Sequence, residues 1–300
     1  MTSLKFGMIL PVQAQSTLMR MPWEPDAGPA DIANVAKACE AAGFDNVSVC
    51  DHVAIPRARA EAMSTVWYDT VATMGWLAAQ TERVRLMSQV FIVAYRHPLV
   101  TAKSFLTLDA LSGGRTILGV GAGHVEGEFD ELGVPFHERG KITDEALRTI
   151  RASFEDEFGA GDVGQAPRPV QPGGPPIWVG GSSAAALRRA ARLGDGWIPQ
   201  GPPAMGMDGA IELLRTEREK AGRTGPFAIN GGGYVYVGEP GWDVPAFTTT
   251  GNAEKVAASL RPLSDMGVTH LQMRIPSRSC SELIDQIGLL GSDVMPLLNG

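Results

Sequence analysis

The stretch RTILGVGAGHVEGEFD, residues 115–130, decides how the chain is read. An apolar run, 117–120, passes into the glycines Gly119, Gly121 and Gly123, then His124, then an acidic helix start at Glu126 and Glu128. An apolar run that ends in glycines and delivers a histidine to a helix start is the pattern of a buried strand whose carboxyl end faces a ligand. Glycine removes side chains there, so a flat ring or a phosphate can approach the backbone. The same glycines could serve only tight packing at a strand-to-helix turn, and this stretch alone does not separate the two readings.

Working outward, seven more short apolar runs alternate with helical patterns. They fall at 5–10, 46–50, 84–92, 177–181, 196–199, 227–237 and 270–275. Helical periodicity covers 32–42, 66–80, 97–111, 129–136, 141–154, 184–193, 209–221, 252–266 and 281–290. Eight strands alternating with helices predict an α/β fold, a single (β/α)8 barrel spanning residues 1–300, with a loop insertion at 155–175 before the fifth strand. A doubly wound sheet is the runner-up. Its first βα turn would need G-x-G-x-x-G, which is absent, and the run 119–124 carries His124 at the third glycine's place.

Bulk properties narrow the function. The chain has 300 residues, 26 basic and 33 acidic side chains and a net charge of −7, with no basic stripe, so nucleic acid is not an expected partner. Cys39, Cys50 and Cys280 are odd in number and widely spaced, which predicts reduced thiols in a cytoplasmic protein rather than a disulfide frame or a zinc site. No apolar run approaches the ~18 residues of a membrane span. A metal hydrolase on the same barrel is disfavoured, because the first strand lacks H-x-H.

In such a barrel the chemistry lies at the carboxyl ends of the strands. Two features there are informative. Gly180-Gly181-Ser182-Ser183 ends a strand and opens a helix, and the free amides and positive dipole end of that helix suit a phosphate. A plain glycine turn with a serine cap is the alternative. His52 and His124 lie on different strand ends, and imidazole titrates near neutral pH, which suits proton transfer. His97, His137 and His270 fit this role less well; His270 opens a strand at the opposite end.

Four segments in order resemble the luciferase-like monooxygenase superfamily, in particular its branch using the deazaflavin coenzyme F420. They are GFDNVSVCDH (43–52), HPLVTAKSFLTLDALSGGRTILGVGAGH (97–124), ELGVPFHERGKITDEALRTIR (131–151) and PPIWVGGSSAAALRRAARLGDGW (175–197). The resemblance implies a barrel of the bacterial luciferase type with a flavin or deazaflavin across its mouth. It implies that Gly180, Gly181, Ser182 and Ser183 take the cofactor phosphate. It also implies a non-prolyl cis peptide within Ser88-Gln89-Val90, at Gln89–Val90, forming a bulge behind the ring. Asp51 and Gly123 are expected beside the cofactor, and Asp51-His52 resembles the Asp-His pair of deazaflavin sugar-phosphate dehydrogenases.

The chain departs from those dehydrogenases in two places. The Trp they carry shortly after the pair is replaced by VAIPR (53–57), and their acid after the fourth strand is replaced by His124. Both departures argue against a sugar phosphate as substrate. The function expected from the resemblance is hydride exchange between F420 and a small organic substrate, with His52 or His124 moving the proton. Arg188 and Arg189 lie too far into their helix to make an arginine cluster at the phosphate seat, which favours F420 over FMN. An FMN-dependent monooxygenase and a non-catalytic flavin-binding protein are the alternatives. The substrate is expected against the loop 11–29 with Met19, Met21 and Trp23, around Arg57, and at Tyr95-Arg96. Relatives commonly pair through the outer helices, so a homodimer through 66–80 and 100–111 is expected.

Overall fold

The parallel ladder that these apolar runs form closes on itself. In the computed structural model, which describes residues 4–299, the barrel strands are β1 (Lys5–Ile9), β2 (Asn46–Val49), β3 (Arg85–Ser88), β5 (Thr116–Gly121), β6 (Ile177–Gly180), β7 (Gly196–Ile198), β8 (Ala228–Val237) and β10 (His270–Arg274). Each pairs in parallel with the next, and β10 pairs with both β8 and β1, so no edge is left open. The fold is the expected (β/α)8 barrel. β4 (Phe91–Ile92) continues the line of β3 along β5, and β9 (Thr249–Gly251) adds to the upper end of β8.

The helices wrap the outside. They are α1 (Pro29–Ala41), α2 (Ala60–Met63), α3 (Thr70–Ala78), α4 (Pro98–Ser112), α5 (Glu126–Glu131), α6 (Arg139–Glu155), α7 (Ala184–Leu193), α8 (Gly206–Lys220), α9 (Ala253–Asp265), α10 (Cys280–Leu289) and α11 (Met295–Asn299). Apolar faces of helices and strands meet in one large core, while Met87, Ile117, Trp178 and Ile198 form a separate plug inside the barrel.

Three local readings change on folding. The run 84–92 is two strands, β3 and β4, with Gln89 and Val90 between them joined by a cis peptide. The run 227–237 is not interrupted by its glycines. A Cβ on Gly233 would lie 3.0 Å from Leu260 and 3.1 Å from Met273, so glycine lets the strand stay continuous under α9. The pattern at 66–80 becomes helical only from Thr70, where Asp69 caps α3 by accepting from the amide of Ala72 at 2.8 Å.

Residues 156–176 carry neither helix nor strand. They are nevertheless fastened along α4. Buried Asp109 accepts from the amides of Val170 and Gln171 and from the Gln171 side chain, at 2.7–3.1 Å. None of the described helices is long and apolar enough to cross a membrane.

Candidate active site

The carboxyl ends of β2 and β5 bring His52 and His124 together, with ring centroids 5.8 Å apart and planes nearly perpendicular. Their surroundings differ. His52 is nearly enclosed, and His124 is open to the mouth. Beneath His52 lies Glu128, fully buried in α5, with Oε2 2.6 Å from His52 Nδ1. Glu128 Oε1 accepts from the amides of Val53 at 2.9 Å and Ala54 at 3.1 Å, and Oε2 also accepts from the Tyr95 hydroxyl at 3.1 Å.

Burial acts to raise the Glu128 carboxyl. The hydrogen bond and charge of His52, with the two amides, outweigh it and hold the group below the usual carboxylate range. Glu128 is therefore an anion at neutral pH. With a carboxylate as its partner, Nδ1 of His52 is the donor of this bond, and Nε2 lies outside it. The Tyr95 hydroxyl is pushed up by burial and by that same anion, so it stays protonated. The His124 imidazole is held below its ordinary value, first by loss of water and then by His52 beside it. One histidine is thus backed by a buried anion and the other favours its neutral form.

Trp67 completes the wall, packing edge-on against His52 with centroids 4.3 Å apart. Its Nε1 donates to the carbonyls of Met63 and Ser64, so the indole is held by the α2 segment and not by the outer helix. Neither Glu128 nor Trp67 was assigned to the site from sequence. Glu128 reads as an ordinary acidic helix start, as does Glu126, and only burial separates them. Trp67 reads as part of an outer helix. The two groups expected to be missing, an aromatic ring beside the Asp-His pair and an acid beyond the fourth barrel strand, are thus both supplied from other positions.

Asp51 sits under the same corner, buried, in a bidentate pair with Arg96 at 2.7 and 2.8 Å. Its oxygens also accept from the Ile92 amide and the Thr70 hydroxyl, so its polar capacity is used inside the protein. Tyr95 and Arg96 point inward to Glu128 and Asp51, beneath the histidines rather than into open space.

The bulge is built from exact-fit glycines. A Cβ on Gly119 would lie 1.9 Å from the Ser88 carbonyl oxygen, and Ser88 Oγ donates to the Gly119 carbonyl at 2.8 Å. Gln89 Oε1 accepts from Ser48 Oγ at 2.9 Å. Val90 is left half-buried between two bare strand ends: a Cβ on Gly121 or Gly180 would come within 2.6 or 2.7 Å of its methyls. Gly123, at φ +83°, lies so close to Phe129 that a Cβ would meet its ring at 2.7 Å. These glycines serve close packing, and the packing raises Val90 as an apolar floor.

At the adjacent corner Gly181 takes φ +124°, and Ser183 caps α7 by accepting from the Ala186 amide at 3.2 Å. Ser182 Oγ donates to the Gly201 carbonyl at 2.6 Å and accepts from the Gln200 amide at 3.0 Å. The Ala186 amide goes to the Ser183 cap and the Leu187 amide to the Ser183 carbonyl, so the amides of residues 182–185 remain open to an anion. No group of three or more potential metal ligands occurs among the described residues.

Comparison with known proteins agrees with this architecture. Residues 4–243 match the luciferase-like monooxygenase family. The chain is 35% identical over 216 residues to an uncharacterised protein of Mycobacterium tuberculosis, covering 65% of this chain and 74% of that one. It is 35% identical over 213 residues to the F420-dependent glucose-6-phosphate dehydrogenase of Nakamurella multipartita, covering 65% of this chain and 60% of that protein. Among solved structures, the coenzyme F420-dependent tetrahydromethanopterin reductase of Methanopyrus kandleri superposes with a TM-score of 0.75 at 20% identity, covering 99% of both chains. The chain belongs to the luciferase-like monooxygenase family of oxidoreductases.

Proposed function

We propose that this protein is an F420-dependent oxidoreductase that exchanges a hydride between the deazaflavin and a small organic substrate. The observation that carries the reading is His52 fixed by buried Glu128 at 2.6 Å, a proton-handling pair beside an apolar floor and an open helix N-terminus. The named activity of the Nakamurella relative supports the choice of coenzyme. When bound, F420 supplies a ring carbon that accepts or returns a hydride.

The residues present suit that group. Val90, raised by Gly121 and Gly180, offers a flat apolar surface to a ring, and the amides of residues 182–185 offer donors to a phosphate. Ser88, Gln89, Asp51 and Gly123 act from behind this surface, keeping the bulge and the histidine corner in place. His52 exchanges the accompanying proton at Nε2, and Glu128 keeps its ring in one orientation. His124, favouring its neutral form, serves as a second acceptor at the rim.

Titration of the purified apoprotein with F420 and with FMN tests the reading. Micromolar F420 binding with weaker FMN binding is expected. FMN binding alone, with oxygen consumption in the presence of a flavin reductase, would replace it with the monooxygenase reading. A homodimer is proposed through α3 and α4, where Trp76, Val100 and Leu111 are exposed. Sedimentation equilibrium should report twice the chain mass.

A further inference from the structure

A cleft opens at the same mouth, on the side away from α7. It is open to solvent and lies between the ends of β1, β8 and β10 and the loop 11–29. Met19, Met21, Trp23 and Ile275 give it an apolar wall. The loop is held over it from both ends. Glu24, buried, accepts from the amides of Val12 and Met21 at 2.7 Å, and Trp23 Nε1 donates across the cleft to Ser277 Oγ at 3.1 Å.

The charges in this cleft do not balance. Arg20 and Arg274 both line it, and among the described residues neither guanidinium has a hydrogen-bond or ion-pair partner. Arg274 only lies over the Tyr234 ring at 6.0 Å. The single carboxylate, Glu24, has each oxygen taken by a backbone amide, and burial, opposed by those amides and by the two arginines, raises its pKa. The Cys50 thiol, raised chiefly by burial, stays neutral. A chain of net charge −7 therefore keeps a cleft with one uncompensated positive charge or more. Beside the cleft Phe247, 67% exposed, packs on Tyr234 with centroids 4.6 Å apart.

We propose that this cleft binds the substrate, and that the substrate is an amphiphilic carboxylate whose acid group pairs with Arg274 while its apolar body lies along Met19, Met21 and Trp23 towards the rim. The inference rests on the oxidoreductase reading for the word substrate, and not for the binding itself. A guanidinium takes a carboxylate through two parallel hydrogen bonds. Arg20, on the loop, is the second cation available to the acid group.

Isothermal titration of the full chain without coenzyme tests this, so a failed F420 titration does not affect the result. The probes are octanoate, butyrate, octanamide and octyl phosphate. Octanoate should bind about tenfold or more tightly than octanamide, which lacks the charge, and than butyrate, which lacks the tail. Arg274→Met should remove the octanoate preference over octanamide, and Arg274→Lys should restore most of it, which separates charge recognition from misfolding. Equal binding of octanoate and octanamide, or an Arg274→Met protein with unchanged octanoate affinity, would overturn the proposal. Octyl phosphate binding about tenfold tighter than octanoate would overturn the carboxylate assignment.

Discussion

At the scale of single residues, the site depends on a carboxylate that makes four contacts. Glu128 accepts from one imidazole, one phenol and two amides without any exposure to water. An amide in its place supplies one acceptor and one donor, so the His52 ring loses its anionic anchor and its fixed tautomer. Glu128→Gln should lower turnover by about 100-fold or more while leaving the dissociation constant of the proposed coenzyme within a few-fold, and should cost about 1.5–3 kcal/mol in urea unfolding. A variant with wild-type turnover would show that His52 needs no partner. Gly121 makes a second residue-scale case. Its Cβ would come within 2.6 Å of Val90, so Gly121→Ala should cost about 1–3 kcal/mol and weaken coenzyme binding. The double variant with Val90→Ala should recover stability, because the crowding methyls are gone.

At the scale of elements, the least regular segment depends on one side chain. Asp109, near the end of α4, is buried and takes three hydrogen bonds from residues 170 and 171. Asp109→Ala leaves two amides and a carboxamide without their acceptor. Protection from hydrogen exchange should fall across 165–174 before it falls in the barrel strands, and stability should drop by about 2 kcal/mol or more. The strands are legible in the sequence because an apolar run bounded by glycine or proline is a local signal. The cis bond at Gln89–Val90 follows from the resemblance and not from local pattern, whereas Glu128 carries only the local signal of an acidic helix start. The helix period cannot tell a buried acid from the exposed Glu126 two residues earlier, since that depends on what packs above α5.

At the scale of the molecule, the foot of the barrel carries a polar cluster far from the mouth. His270 Nε2, buried, lies 3.8 Å from Asp45 and has no hydrogen-bond partner among the described residues, and the ring packs on Trp178. Lys5 and Arg85 also face it through Asp45. Burial, aided by Lys5 and Arg85 against the pull of Asp45, lowers the imidazole to about 4. The unfolded chain then binds a proton between about pH 4 and the model-peptide value of 6.5 that the folded chain refuses. Stability should fall as pH drops through that window, by at most about 3 kcal/mol from this group. His270→Asn, which does not titrate, should show a shallower loss in urea unfolding between pH 7 and pH 4.5; identical slopes would rule out His270 as the source.

The order of strands and helices, the closed barrel and the Gly-Gly-Ser-Ser corner were determined by the sequence itself, because each rests on residues adjacent in the chain. Periodicity, caps and turn glycines act within a few positions, and eight repeats of one pattern leave few ways to bury their apolar faces. Only the tertiary structure decided which polar groups meet. The His52–Glu128 bond spans 76 positions, and Trp67 reaches His52 from a segment whose pattern looks helical. Asp51 turned inward to Arg96, while Arg274, in its cleft, has no hydrogen-bond or ion-pair partner among the described residues. Such pairings depend on distance in space and on the loss of water around each group, and neither exists until the barrel closes.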